Sequence, residues 1–108
     1  MEVIDQLVMF GLTRQEATLY TTLLTEGELT GYEAAKKTTI SRSNTYNGLA
    51  GLVEKGAAYI IEGAVTKYTP VSIEEFCNNK LRSLEQTKAT LINTLPFEKV
   101  DNNGYITI

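Results

Sequence analysis

Apolar positions follow two different periods along the chain. From Val3 to Val53, and again from Ile73 to Leu95, they recur every three or four residues, the spacing of one helix face. Between Ala58 and Thr69 they alternate, as in half-exposed strands. The first helix is expected over Glu2 to Phe10, with Val3, Ile4, Leu7, Val8 and Phe10 on a broad apolar face and Gly11 at its end. Thr13 and Glu16 have the spacing of a capping box, in which each side chain satisfies the other residue's free N–H. The helix they open presents Ala17, Tyr20, Leu23 and Leu24 on one side and stops near Gly27.

Thr30 and Glu33 form a second capping box, opening a short helix from Gly31 to Lys37 with Ala34 and Ala35 inward. Thr38, Thr39 and Ile40 leave room only for a turn. Ser41 then caps a longer helix reaching Lys55, with Thr45, Leu49, Leu52 and Val53 inward and Gly56 as its stop. A short helix, a tight turn and a longer helix make a helix-turn-helix. Ala58 to Ile61 and Val65 to Thr69 read as a β-hairpin joined by a Gly-first turn over Glu62, Gly63 and Ala64, with Pro70 ending the second strand. A hairpin directly after a helix-turn-helix is a wing.

A third capping box, Ser72 with Glu75, opens the longest helix, from Ile73 to Leu95, and Pro96 stops it. Cys77, Leu81, Leu84, Lys88, Leu91 and Leu95 step by alternating fours and threes, the seam of a coiled coil about three heptads long. Phe76 and Ile92 widen that stripe. An apolar stripe of this length exceeds what a small trihelical core can cover, so a homodimer is expected through Phe76, Cys77, Leu81, Leu84, Leu91, Ile92 and Leu95. Lys88 reads as a register or edge position that snorkels to water. The fold class is therefore mainly α with a small β-hairpin: a winged helix-turn-helix over residues 1–71 and a dimerisation helix over 72–96. Residues 97–108 form a tail whose Tyr105 to Ile108 reads as a strand without a partner. That favours a fragment, with the tail starting a further C-terminal domain, over a naturally short relative.

Composition narrows the chemistry. The 108 residues contain no histidine and one cysteine, Cys77. That excludes Ser-His and Cys-His nucleophile systems, His-ligated metals, an internal disulfide and a Cys-rich zinc site. Glu74 and Glu75 are adjacent, so they point to different sides of their helix and make no paired-carboxylate site. No Gly-rich phosphate loop is present. These features argue against an enzyme, and no cofactor or metal is expected. No apolar run approaches a membrane span and the first residues lack a basic signal region, so a soluble cytoplasmic protein is expected. Cys77 reads as a small core residue.

The net charge of -3 argues against a protein that coats nucleic acid indiscriminately. Its distribution is uneven: residues 1–30 carry -4, residues 31–56 carry +2 and residues 57–70 balance. The positive segment is the helix-turn-helix, where phosphates of double-stranded DNA would lie. Candidate DNA-binding residues there are Lys36, Lys37, Ser41, Arg42, Ser43, Asn44, Tyr46 and Asn47. Arg pairs bidentately with guanine and Asn with adenine in the major groove. Ser43 can reach a phosphate or a base edge; capping of the helix start explains Ser41 well and Asn44 and Asn47 less well, and Tyr46 reads equally as a phosphate contact or as core. Gly48 and Gly51 each cost ~1 kcal/mol relative to Ala within a helix, which is read either as close approach to DNA or to another helix, or as a tolerated loss of stability.

The chain resembles the TrmB family of sugar-responsive transcriptional regulators. The resemblance is carried by Phe10-Gly-Leu-Thr-Arg-Gln-Glu-Ala17, the segment Tyr20 to Thr30, Ser41-Arg-Ser-Asn-Thr-Tyr46, Leu52-Val-Glu-Lys-Gly56 and Tyr68-Thr-Pro-Val71, in this order and spacing. It implies a dimeric DNA-binding winged helix with Lys67 as the wing's phosphate contact, and an effector bound only through a further C-terminal domain. Two positions depart from the family pattern. Ser41 stands where a Pro is frequent, and the wing carries one acid and one base, Glu62 and Lys67, where basic residues usually abound. A winged helix used as a protein-interaction module is the second reading, supported by the acidic balance and the neutral wing.

Overall fold

A computed structural model describes residues 2–95. The elements, in order, are α1 (Val3–Met9), α2 (Arg14–Glu26), β1 (Leu29–Thr30), α3 (Gly31–Thr38), α4 (Arg42–Glu54), β2 (Ala58–Ile61), β3 (Lys67–Pro70) and α5 (Ile73–Thr94). The expected tail from Phe97 to Ile108 lies outside the described residues.

The capping signals set the helix starts. Thr13 Oγ1 accepts from the Glu16 N–H at 3.0 Å while the Glu16 carboxylate accepts from the Thr13 N–H at 2.9 Å. Thr30 and Glu33 repeat the arrangement at 3.1 and 2.8 Å. The Thr30 N–H, with Lys67 and Lys37 nearby, holds the Glu33 carboxyl below the usual carboxylate range. At α5 only half of the expected box forms. Ser72 Oγ accepts from the Glu75 N–H at 3.1 Å, but the Glu75 carboxylate accepts from the Tyr59 hydroxyl of β2 at 3.2 Å. That bond pushes the Tyr59 phenol above its ordinary pKa.

The sheet differs from the expected hairpin in two ways. Leu29 and Thr30 form a third strand, giving the antiparallel order β1-β3-β2, with Leu29 opposite Tyr68 and Thr30 opposite Lys67. A two-residue strand is too short to show a period. The second hairpin strand begins at Lys67, so Val65 and Thr66 belong to a five-residue loop over residues 62–66 instead of following a tight turn. The β2–β3 ladder runs from Ala58 opposite Pro70 to Ile61 opposite Lys67.

The core gathers Leu19, Tyr20 and Leu23 of α2, Leu49 and Leu52 of α4, and Phe76 of α5. The Tyr20 hydroxyl donates to the Val71 carbonyl at 2.7 Å, and its ring centroid is 5.7 Å from that of Phe76. Burial, with Cys77 adding, pushes the Tyr20 phenol up to about 12. Leu24, Val3 and Val8, expected on inner faces, are exposed.

Gly48 and Gly51 mark where α4 meets α2. A Cβ on Gly48 would lie 2.5 Å from Leu19 Cδ1, and one on Gly51 would strike the Glu16 carboxylate. The close approach is therefore to another helix and not to DNA.

Phe76 corrects the expected seam. It is only 2% exposed, packed between the tilted rings of Tyr20 and Phe10 within its own protomer, and so offers nothing to a partner. Its place on the helical stripe is one turn too early, where α5 still lies on the body. From Leu81 to Leu95 every residue of the helix and its cap is exposed.

Candidate nucleic-acid interface

Three elements converge beside the outer face of α4: the start of α3, α4 itself, and the loop between β2 and β3. Helix α4 begins where Ser41 Oγ accepts from the Asn44 N–H at 3.2 Å. Ser41 is thus the cap of the helix. Thr39, the sole non-glycine residue with positive φ among the described residues (φ 59°), ends α3 and turns the chain into α4. Thr45, Gly48, Leu49 and Leu52 face inward, which leaves Arg42, Ser43, Asn44, Tyr46 and Asn47 exposed on the other side.

The basic residues do not form one uniform patch. Lys36 and Arg42 both lie over the ring of Tyr32, with Lys36 Nζ 5.6 Å and the Arg42 guanidinium carbon 5.5 Å from its centroid. Such cation–π contacts contribute about 0.5–1 kcal/mol at exposed sites and hold both cations on one ring. Lys37 turns away, to Glu26 at the end of α2, at 3.3 Å. Lys67 sits in the central strand β3, half-buried and 3.9 Å from Glu28. Two of the candidate cations therefore have carboxylates beside them within the chain.

Tyr32 was not among the residues expected at the interface. Its signal was present: Tyr32 and Lys36 are four apart on one helix and so share a face. Arg42 reaches the same ring only because the turn folds α4 back across α3. Tyr46 is 44% exposed, and its ring lies against Gly31, where any Cβ would collide with it.

On the far side, the exposed stripe of α5 contains Leu81, Leu84, Leu91, Ile92 and Leu95, while Cys77 is half-buried against the core. Among the described residues no group of three Asp, Glu or Cys side chains could hold a metal ion, and no helix is long and apolar enough to cross a membrane.

Comparison with known proteins places this arrangement in a family. Residues 7–74 match the family model described as sugar-specific transcriptional regulator TrmB. The chain is 34% identical over 84 residues to the YrhO protein of Bacillus subtilis, covering 78% of this chain and 30% of that protein. It is 34% identical over 73 residues to TrmBL1 of Pyrococcus furiosus, a sugar-sensing helix-turn-helix transcriptional regulator, covering 68% of this chain and 21% of that protein. The chain thus spans less than a third of the length of these relatives. Among solved structures, TrmBL2, an archaeal chromatin protein that binds DNA, superposes with a TM-score of 0.80 at 26% identity, over 84% of this chain and 35% of that one. A MarR family protein from Bacillus stearothermophilus shares the fold alone, with a TM-score of 0.58 at 17% identity over 85% of this chain and 67% of that one. The family model and TrmBL1 are both described as transcriptional regulators. A helix-turn-helix with a three-stranded wing sheet and a long following helix, matched over most of its winged portion by one family model, identifies the chain as a member of the TrmB family of transcriptional regulators.

Proposed function

We propose that the protein binds double-stranded DNA sequence-specifically as a homodimeric transcriptional regulator, with α4 entering the major groove. The observation that carries this reading is the composition of α4's free face. Arg42, Asn44 and Asn47 are exposed side by side with Ser43, and these types read base edges. Two copies joined through Leu81, Leu84, Leu91, Ile92 and Leu95 present two such helices related by a twofold axis. Their half-sites then lie one helical turn, about 10 bp, or a multiple of it apart. The domain division follows: a winged helix-turn-helix over residues 1–71 and a dimerisation helix over 72–96, working in the cytoplasm. A small-molecule effector acts, in this reading, through a C-terminal domain beyond these segments.

Lys36, Ser41 and Tyr46 contact the phosphate backbone, and Lys37 and Lys67 add little because Glu26 and Glu28 lie beside them. The test is binding of wild type and Arg42→Ala to a selected operator and to a scrambled duplex across a salt series. A base-reading Arg42 predicts a loss of about 1–3 kcal/mol on the operator with relaxed preference at one base pair. An equal loss on every duplex makes Arg42 a phosphate contact.

A second reading, a winged-helix protein-interaction module, draws support from the carboxylates beside Lys37 and Lys67. Absence of binding to any duplex at low salt selects it.

A further inference from the structure

Between the start of α3, the outer face of α4 and the wing loop lies an open cleft of about 570 Å³, lined by Thr30, Gly31, Tyr32, Tyr46, Thr66 and Tyr68, with Val65 at one side. We propose that this cleft seats one sugar-phosphate unit of the DNA backbone, gripped by phenol and threonine hydroxyls and not by wing cations. The proposal rests on the DNA-binding reading of α4 and names how that interface holds the strand beside the groove.

Four observations support the seat. First, its place is right: Tyr46 belongs both to the cleft and to the free face of α4, so a backbone flanking a groove occupied by α4 passes over it. Second, its chemistry suits an anion that is also partly apolar. Among the described residues no carboxylate lines it, Tyr and Thr hydroxyls are ready donors to phosphate oxygens, and ring faces suit a deoxyribose.

Third, Lys36 and Arg42 are both held over the ring of Tyr32, one of the lining residues, so positive charge is tied to a wall of the cleft. Fourth, the cleft is built in advance. Tyr46 occupies the space that a side chain at residue 31 would need, and Gly31 is the residue that leaves it free. Tyr32 and Tyr46 remain 51% and 44% exposed, so their rings are available to a ligand without rearrangement.

This device also accounts for the wing. Its single base, Lys67, lies beside Glu28, and its loop carries Glu62. A wing so composed gains little from counterion release, whereas uncharged donors contribute affinity that does not depend on salt.

The experiment compares wild type, Tyr32→Phe/Tyr46→Phe and Lys36→Ala on the selected operator and a scrambled duplex of equal length, by fluorescence anisotropy across a salt series. Phenylalanine keeps each ring, its packing on Gly31 and its seat for the cations, and thermal unfolding verifies that the fold is unchanged. The expected result is a loss of about twofold to tenfold per hydroxyl, equal on both duplexes, with the slope of log K against log salt unchanged. Lys36→Ala instead reduces the magnitude of that slope by up to about 0.9. If wild type binds and the double variant binds equally well, the cleft does not touch DNA and the proposal falls while the function stands. A loss confined to one duplex overturns it too, because the tyrosines would then read bases. If wild type binds neither duplex at low salt, the DNA reading and the cleft fall together.

Discussion

Lys55 Nζ donates to Glu16 Oε1 at 2.6 Å and to the Gly11 carbonyl at 2.9 Å, so one ammonium joins the end of α4 to the start of α2 and to the turn before it. The same Glu16 oxygen caps α2 through the Thr13 N–H. Glu16 is only 7% exposed, and its charge has little water to compensate it.

Lys55→Met is therefore expected to cost about 1–3 kcal/mol, because it leaves a buried carboxylate with one fewer donor. Lys55 itself is partly solvated, which keeps the cost below that of a fully buried pair. Urea unfolding of Lys55→Met, Glu16→Gln and the double variant gives the coupling. A coupling near zero means that the contact contributes nothing to stability.

Gly48→Ala is expected to destabilise the protein even though it favours the helix. Ala gains ~1 kcal/mol of helix propensity over Gly. The new methyl would meet Leu19, which is fully buried, and overpacking of this kind costs about 1–3 kcal/mol. A melting temperature higher than wild type's would contradict the packing described for α2 and α4.

Tyr20→Phe leaves the Val71 carbonyl without its donor and is expected to cost about 1–2 kcal/mol at neutral pH. The folded protein holds the phenol's pKa at about 12 against an ordinary 10.0. Below the ordinary value both states keep the proton, and the stabilisation is complete. Above it the unfolded chain ionises first, so stability falls by about 1.4 kcal/mol per pH unit until the folded pKa is reached. Wild type should thus lose its advantage over Tyr20→Phe as pH rises through that interval. A constant difference between the two would mean that the hydroxyl is not held neutral by the fold.

Leu84→Asp with Leu91→Asp is expected to yield a folded monomer, since both side chains are exposed on the projecting part of α5. Phe76→Asp on the same helix is expected to unfold the domain, because a charge would be buried between Tyr20 and Phe10. Sedimentation together with circular dichroism separates the two outcomes. A wild type that sediments as a monomer at high micromolar concentration removes the dimer proposal.

The sequence by itself determined the order and ends of the helices and the presence of a wing. Its signals for these act over a few residues: Thr13 reaches Glu16, Thr30 reaches Glu33, and a period of three or four marks each buried face. Where a distant residue competes, local reading fails. Glu75 was expected to cap its own helix, but Tyr59 takes its carboxylate. The same holds for β1, whose two residues become a strand only because β3 lies beside them. The tertiary structure alone decided what each candidate cation faces. Lys37 and Lys67 lie beside Glu26 and Glu28, whereas Lys36 and Arg42 meet on Tyr32. Apolar spacing likewise put Phe76 and Leu84 on one stripe, and only the docking of α5's first turns onto α1 and α2 separated a core residue from an exposed one. Periodicity records which way a side chain points, but burial depends on what the rest of the chain brings to meet it.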